Sequence, residues 1–275
     1  MDALITPDWL AANVGAVRIV DASYYLAEHG RDAAAEFARG HIPGAVFLDL
    51  ATLVDPAAPL PMTWPGGEAV AARLAALGIG ARERIVLYDA SPLRSSARAW
   101  WMLRMAGIVD VVILDGGLAA WTAQGHPLAS GEATAAAVRP ATGIPAGTLR
   151  DLADLRANLQ SGAEQVVDAR SPARFAGAEP EARAGVEPGH IPGSRNLHYA
   201  TLFEPDGRWK QLDALRAAFA DAGIDPSRPV IATCGSGVTA AVLVFAAHLL
   251  GHDMALYDGS WTQWGSDPST PKARA

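Results

Sequence analysis

The sequence contains one cysteine, Cys234, at a position where a thiol can act as a nucleophile. The apolar run Val230–Thr233 precedes it and predicts a buried strand, and residues 238–250 follow with the composition of a helix. A thiol between a strand and a helix N-terminus faces main-chain N–H groups and the positive end of the helix dipole, which favour the thiolate. Gly235 and Gly237 allow the connecting backbone to curl around the sulfur. We therefore interpret Cys234 as reactive rather than as a structural core cysteine.

The loop that begins at Cys234 reads Cys-Gly-Ser-Gly-Val-Thr and contributes two hydroxyl groups. Ser236 could donate to a substrate thiol or relay a proton, or it could only bond to the loop backbone. Thr239 is expected at the N-terminus of the following helix rather than in the chemistry. Main-chain donors that hold a thiolate would also hold an anion formed on it. The predicted substrate contacts of the loop are Gly235, Gly237, Val238 and Thr239.

The elements that position this loop occur twice along the chain. Val-Asp-Ala at 20–22 returns at 167–169, Gly-His-Ile-Pro-Gly at 40–44 returns at 189–193, and Asp-Gly at 115–116 returns at 258–259. The copies are 143 to 149 residues apart. A period this long indicates two duplicated domains rather than a solenoid of short repeats. We expect domains at 1–127 and 148–275, joined by a linker at 128–147 that is rich in Gly, Pro, Ala and Thr.

Short β-branched runs alternate with helical patterns within each half, which is typical of an α/β fold whose parallel sheet is covered by helices on both faces. The predicted helices lie at 68–77, 95–106, 212–222 and 238–250. The predicted strands lie at 17–20, Ile85–Tyr88, Val111–Leu114, Gln165–Asp168, Val230–Thr233 and 254–257.

The two copies differ at the nucleophile. When strand Ile85–Tyr88 is aligned on Val230–Thr233, Asp89 falls opposite Cys234. We interpret Asp89 as a turn or helix-capping carboxylate. The second domain is therefore expected to hold the chemistry, and the first is expected to be non-catalytic.

Together these features resemble the rhodanese-like sulfurtransferases in their tandem, two-domain form, from about Ile19 to Trp264. The loop from Cys234 to Thr239 is similar to that of members that use 3-mercaptopyruvate. Members that use thiosulfate carry basic residues just after the cysteine, where this chain has Gly235, Ser236 and Gly237.

The resemblance implies transfer of sulfur through a Cys234 persulfide, with release of pyruvate and delivery to a thiol or cyanide. It implies that Arg174 and Arg183 bind the substrate carboxylate, for which the alternative is a surface ion pair with neighbouring glutamates. His41 could move a proton across the site, with Asp32 orienting it, although Gly-His-Ile-Pro-Gly could also be structural in both copies. The expected acceptor is a thiol such as thioredoxin.

Two other functions stay open at this point: a thiosulfate sulfurtransferase, and a non-catalytic persulfide carrier or redox sensor. A phosphatase of related fold would need an arginine six positions after the cysteine, and this chain has Ala240 there.

Composition excludes some partners. The net charge is −7 and no basic patch occurs, so a nucleic-acid partner is not expected. The longest apolar run is too short for a membrane span, and the N-terminal residues do not resemble a secretory signal. A single cysteine cannot form an internal disulfide, which suits a reducing compartment, and we expect the cytoplasm. No metal-ligand spacing or phosphate-binding motif occurs, so we expect neither a metal nor another cofactor.

Overall fold

A computed structural model describes residues 3–80, 83–133, 136–140, 143–145 and 147–275. The chain divides into two compact units, which we call the first and second domains. Each contains most of one half of the sequence together with a short segment of the other half. The first domain includes Phe203–Trp209, and the second includes Ala57–Thr63. The sequence suggests a division at a single linker, which would place each of these two segments in the other domain.

The first domain is built on a parallel sheet of five strands in the order β1-β5-β4-β2-β3. Its elements are β1 (Leu4–Ile5), α1 (Pro7–Asn13), β2 (Arg18–Asp21), a 3₁₀ helix (Ala27–His29), α2 (Ala33–Arg39), β3 (Ala45–Phe47), α3 (Gly67–Ala76), β4 (Ile85–Tyr88), α4 (Ser96–Met105), β5 (Val111–Leu114) and α5 (Gly117–Ala123).

The second domain repeats this topology, with a parallel sheet in the order β6-β10-β9-β7-β8. Its elements are β6 (Thr148–Arg150), α6 (Leu152–Ser161), β7 (Gln165–Asp168), α7 (Pro172–Ala176), β8 (Arg195–Asn196), a 3₁₀ helix (Tyr199–Leu202), α8 (Leu212–Asp221), β9 (Val230–Thr233), α9 (Ala240–Leu249), β10 (Ala255–Tyr257) and α10 (Ser260–Ser266). The predicted fold class, two tandem α/β domains with parallel sheets, is confirmed.

The central strands explain why the sequence reads as short apolar runs. All four residues of β4 and all four of β9 are buried, as expected for strands in the middle of a covered parallel sheet. Residues 240–247 of helix α9 are all buried. A helix buried on every side is expected to be apolar around its whole circumference, as α9 is. The loop that carries Cys234 is therefore anchored at both ends in core elements. None of the helices in the described residues has the length and hydropathy that a membrane-crossing segment needs.

Candidate active site

Cys234 lies at the carboxyl end of β9, the middle strand of the second sheet. The chain continues from β9 into α9, and β10 and β7 pair with β9 on its two edges. In open parallel sheets, ligands bind outside the carboxyl ends of strands near such a central position. Residues that follow β7, β9 and β10 can therefore contribute to one site.

The sulfur of Cys234 receives a hydrogen bond from the loop itself. The N–H of Gly237 donates to Sγ at 3.1 Å. Gly237 has a φ of 82°, a left-handed conformation that glycine adopts without steric cost. Cys234 is 1% exposed, and Ser236 and Thr239 are each 9% exposed. The loop thus places a main-chain donor on the buried thiol, as its sequence predicts.

Further donors in this loop are unused. The main-chain N–H groups of Gly235, Ser236, Val238 and Thr239 have no hydrogen-bond partner among the residues that the structure describes. Buried main-chain N–H groups are almost always paired, so a run of unpaired ones in the loop that follows the nucleophile points to an anion as the missing partner. The loop can hold a negative charge that forms on Cys234 or on a bound substrate.

The first turn of α10 fixes the orientation of these peptide groups. Trp261 N–H donates to the carbonyl of Cys234 at 2.9 Å. The N–H and hydroxyl of Thr262 donate to the carbonyl of Gly235 at 2.9 and 2.6 Å. In a trans peptide the C=O and N–H point in opposite directions. The N–H groups of Gly235 and Ser236 therefore point away from α10.

The hydroxyl groups of the loop are also available. Neither Ser236 nor Thr239 makes a side-chain hydrogen bond within the described part of the chain. Thr239 occupies the N-cap position of α9, as predicted, without a capping bond. The loop-stabilising alternative for Ser236 has no supporting contact, and its role in the chemistry stays a prediction.

Arg174 lies directly beside this loop. It belongs to α7, a short helix that starts with the Ser171 cap and ends at Gly177 in a left-handed conformation. A Cβ atom placed on Gly235 would lie 3.2 Å from Nη2 of Arg174, so the guanidinium packs against the glycine backbone. The Arg174 side chain is 33% exposed and forms an ion pair with Glu181 through Nη2.

A buried charge network holds Arg174 in place. Glu181 also accepts from Nη1 of Arg170 at 2.7 Å, and Arg170 donates to both carboxylate oxygens of Asp168. The Arg170 and Asp168 side chains are almost fully buried, yet each charge has an opposite partner. Burial lowers the pKa of Arg170, but the two carboxylates outweigh it and the pKa lies above its usual value.

No motif in the sequence marks Arg170 as part of the site, and the nearby glutamates are expected there only as competing partners of the arginines. The structure shows that Glu181 instead joins Arg174 to the core. Arg183, by contrast, has no side-chain partner among the described residues. Its role in binding substrate stays a prediction.

His41 and His190 make the same contacts in the two domains. Nδ1 of His41 lies 2.8 Å from the carbonyl of Phe37, and the ring stacks on Phe37. Nδ1 of His190 lies 2.8 Å from the carbonyl of Phe175 and stacks on that ring. These shared contacts favour the structural interpretation of both histidines, and proton transfer by His41 stays a prediction.

Asp32 and Asp89 both accept main-chain hydrogen bonds at helix starts. Asp32 caps α2 by accepting from Ala35 N–H at 3.0 Å. The Asp89 carboxylate accepts from the N–H groups of Ser91 and Ser96, each at 2.9 Å. Asp89 follows β4 as Cys234 follows β9, and it has the turn and capping contacts that the sequence predicts. Among the residues the structure describes, no group of three His, Cys, Asp or Glu side chains could hold a metal ion.

The chain has two tandem α/β domains, each with a five-stranded parallel sheet, and one of them carries a cysteine loop after its central strand. These features define a duplicated α/β protein suited to covalent sulfur chemistry. A family model described as "Rhodanese-like domain" matches residues 6–124 and 151–267. The chain belongs to the rhodanese-like family and contains two copies of its domain.

Relatives of known name match over nearly the whole chain. Human 3-mercaptopyruvate sulfurtransferase is 41% identical over 271 residues, which cover 95% of this chain and 91% of that protein. Thiosulfate sulfurtransferase of Cricetulus griseus is 38% identical over 273 residues, covering 95% and 91%. The crystal structure of SseA from Escherichia coli, described as a 3-mercaptopyruvate sulfotransferase, matches with a TM-score of 0.86 at 35% identity, covering 95% and 99% of the chains.

Proposed function

We propose that this chain is a sulfurtransferase that takes sulfur from 3-mercaptopyruvate and passes it to a thiol or to cyanide through a Cys234 persulfide. The observation that carries the proposal is the loop around Cys234. It supplies one hydrogen bond to the sulfur and four unpaired N–H groups, with the Arg174 guanidinium against the same backbone. The 41% identity to a protein named 3-mercaptopyruvate sulfurtransferase supports the choice of donor.

The first half-reaction moves a sulfur atom from the substrate carbon to Cys234. The Cys234 thiolate attacks the sulfur of 3-mercaptopyruvate, an S–S bond forms, and the C–S bond of the substrate breaks. The bonding pair stays on carbon as the enolate of pyruvate, which takes up the proton that the substrate thiol releases. The products are the Cys234 persulfide and pyruvate, with no external oxidant or reductant.

The second half-reaction regenerates the enzyme. An acceptor thiolate attacks the outer sulfur, the S–S bond breaks, and Cys234 leaves as the thiolate. Cyanide in the same role leaves as thiocyanate. Because a donor product leaves before an acceptor enters, we expect ping-pong kinetics.

The loop donors serve both anionic states of the enzyme. A hydrogen bond to a charged group contributes about 1.5–3 kcal/mol, more than the roughly 0.3–1 kcal/mol of an exposed helix dipole. Two or three loop N–H groups therefore matter more than the start of α9. The outer sulfur of a persulfide needs more donors than Gly237 alone, and the unpaired groups of Gly235, Ser236, Val238 and Thr239 can supply them.

Arg174 would bind the substrate carboxylate. Its guanidinium has five N–H donors, and the ion pair with Glu181 uses Nη2. The remaining donors can face the substrate while Glu181 fixes the side chain. Arg183 would add a second positive charge, and Ser236 or His41 would handle the proton.

Thiosulfate is the second candidate donor, because a relative named thiosulfate sulfurtransferase is 38% identical. Thiosulfate carries two negative charges, and the loop offers no basic side chain at Gly235, Ser236 or Gly237. We expect it to react more slowly than the singly charged donor. The cytoplasmic location, a thioredoxin-like acceptor and the domain division 1–127, 128–147 and 148–275 stay predictions.

The test combines product and protein measurements. The protein is mixed with 3-mercaptopyruvate alone, and intact mass should show one added sulfur atom with an equal amount of pyruvate. Adding dithiothreitol should remove that sulfur and start turnover. The same experiment with thiosulfate ranks the two donors. If sulfur is added to the protein but no thiol acceptor supports turnover, the protein is a persulfide carrier. If neither donor adds sulfur to the protein, the proposal is overturned.

A further inference from the structure

Ser260 has an unusual backbone conformation next to the nucleophile. It is the first residue of α10, it is completely buried, and its φ is 47°. Left-handed backbone is strained for a residue with a Cβ atom and is usually given to glycine. A buried serine held in this conformation needs a compensating contact.

The compensating contact is with Cys234. The main-chain N–H of Cys234 donates to Oγ of Ser260 at 3.3 Å, and the Ser260 hydroxyl donates to the carbonyl of Tyr257 at 2.8 Å. The hydroxyl thus joins the end of β10 to the peptide group that leads into the nucleophile.

The first domain provides an internal comparison. Gly117 stands at the matching position with a φ of 59°, and Leu118 N–H donates to the carbonyl of Asp89 at 3.0 Å, as Trp261 N–H does to Cys234. A Cβ atom on Gly117 would lie 2.3 Å from the Asp89 carbonyl oxygen. The non-catalytic domain therefore keeps the strain-free residue and has no hydroxyl at this place.

We propose that Ser260 is a positioning residue for the nucleophile. Its hydroxyl fixes the peptide plane between Thr233 and Cys234, and this plane sets the direction in which the Cys234 side chain leaves the main chain. The Gly237 N–H bond to Sγ depends on that direction. For sulfur transfer, this inference rests on the proposed function, whereas for the reactivity of the thiol it does not.

The turn that contains Ser260 also contacts the arginine network. The ring of Trp261 lies under the guanidinium of Arg170, 4.6 Å from its centroid, and Arg170 is bonded to Glu181. Loss of the Ser260 hydroxyl leaves these contacts untouched. A change at Ser260 should therefore act on the nucleophile and not on binding of the carboxylate.

The experiment uses two variants of the full chain. Ser260→Gly removes the hydroxyl and relieves the strain, as in the first domain, and Ser260→Ala removes the hydroxyl and keeps the Cβ atom. We expect both to lower kcat with 3-mercaptopyruvate, and the rate of Cys234 alkylation by iodoacetamide, by about tenfold. We expect KM to be unchanged. The melting temperature of Ser260→Gly should stay near that of the parent, because strain relief and the lost hydrogen bond oppose each other.

Ser266→Ala is the matched control. Ser266 lies on the same helix, and among the described residues its hydroxyl bonds only to the helix carbonyls of Thr262 and Gln263. It should change neither rate. Alkylation of Ser260→Gly at the parental rate would overturn the inference, even if the melting temperature falls. If the parent protein releases no pyruvate, the proposed function fails, and the alkylation rates still decide the role of Ser260.

Discussion

The loops that follow β4 and β9 occupy matching places in two copies of one fold and use their main-chain donors in opposite ways. Loop 234–239 leaves four N–H groups unpaired among the described residues. Loop 89–95 is bonded within its own domain: the Asp89 carboxylate accepts from the N–H groups of Ser91 and Ser96, and Ala90 N–H donates to the Ser23 hydroxyl. One loop can receive an anion, and the other contains its own.

The Asp89 carboxylate therefore occupies main-chain donors that could otherwise bind an external anion. Burial raises the pKa of Asp89, against the opposing effect of the hydrogen bonds from Ser96 and Ser91. A carboxylate in place of the thiol removes both the nucleophile and the space for its substrate.

The place around Asp89 is also filled. The segment Phe203–Trp209 belongs to the first domain, where Trp209 N–H donates to Asp115 at 2.9 Å and Arg94 stacks on Phe203 at 4.7 Å. The cavity that remains between these residues and Asp89 has a volume of about 10 Å³, too small for an organic substrate. The first domain thus has neither a cysteine nor an open cavity at this place.

A second difference concerns Arg174, the arginine that we propose binds the substrate carboxylate. The phenylalanine that stacks on the histidine is Phe37 in the first domain and Phe175 in the second. The preceding residue is Glu36 in one and Arg174 in the other, so the charge is reversed. A hydrogen bond from Arg31 keeps the pKa of Glu36 below its usual value and holds it ionised. The first domain therefore carries a negative charge at the position where the second carries the positive charge of Arg174.

The largest effect is expected from moving the nucleophile between domains. Cys234→Ser should lower pyruvate release by about a thousandfold or more, because a serine hydroxyl is not ionised at neutral pH. Adding Asp89→Cys to that variant should not restore it, since the donors of loop 89–95 are already used and its cavity is closed. Pyruvate release and intact mass after donor treatment measure both.

Asp89→Cys alone serves as the control, and it should keep parental turnover because Cys234 is intact. Recovery of turnover in the double variant would show that the cysteine is sufficient and that the loop comparison has no catalytic meaning.

A variant at Arg174 tests the charge difference between Glu36 of the first domain and Arg174 of the second. Arg174→Ala should raise KM for 3-mercaptopyruvate by about ten- to a hundredfold, the range of one or two charge-assisted hydrogen bonds, with a smaller change in kcat. The fold should tolerate the change because Glu181 keeps its bond to Arg170. Steady-state kinetics and a melting curve measure the two quantities.

Arg208→Ala is the matched control, because Arg208 is exposed and, in the described part of the chain, its ion pair is with Asp206 alone. An equal rise in KM in both variants would mean that overall charge, rather than a site at Arg174, attracts the substrate.

Much of this comparison could be predicted from the sequence, because the strands and the loops after them are set by residues that are close together in the chain. Strands β4, β5, β7 and β9 have the predicted bounds, since each is a short apolar run between turn residues. The place of Asp89 followed from aligning two of those strands. Helix α9 begins at Ala240, two residues later than predicted, because residues 238 and 239 still form a turn of the loop that follows Cys234.

Other parts depend on three-dimensional contacts that no pattern encodes. Strand β1 has two residues and exists only because β5 offers an edge to pair with. The Arg170–Glu181–Arg174 chain joins residues four to eleven apart through side-chain geometry. The sign of φ at Ser260 is invisible in the sequence, apart from the hint that its counterpart is Gly117.

The smallest effect is expected at the buried aspartates that end β2 and β7. Asp168 is paired with Arg170, whereas the first domain has Ser23 at the matching position, and none of its described residues places a cation beside Asp21. Burial raises the pKa of Asp21 to about 6, despite hydrogen bonds from Ser23 and Tyr88. The folded state therefore binds this proton more tightly than the unfolded state, and stability falls as the pH rises from about 4 to about 6.

Asp21→Asn should remove that penalty and stabilise the protein at pH 7.5 by about 1–2 kcal/mol. This is less than the roughly 3 kcal/mol that two pKa units represent, because the amide offers one acceptor oxygen instead of two. Near pH 4 the carboxyl is already neutral in the folded state, so the gain should vanish. Urea unfolding at the two pH values measures the difference. A gain of equal size at both would show that packing, rather than the missing counterpart of Arg170, distinguishes Asp21 from Asp168.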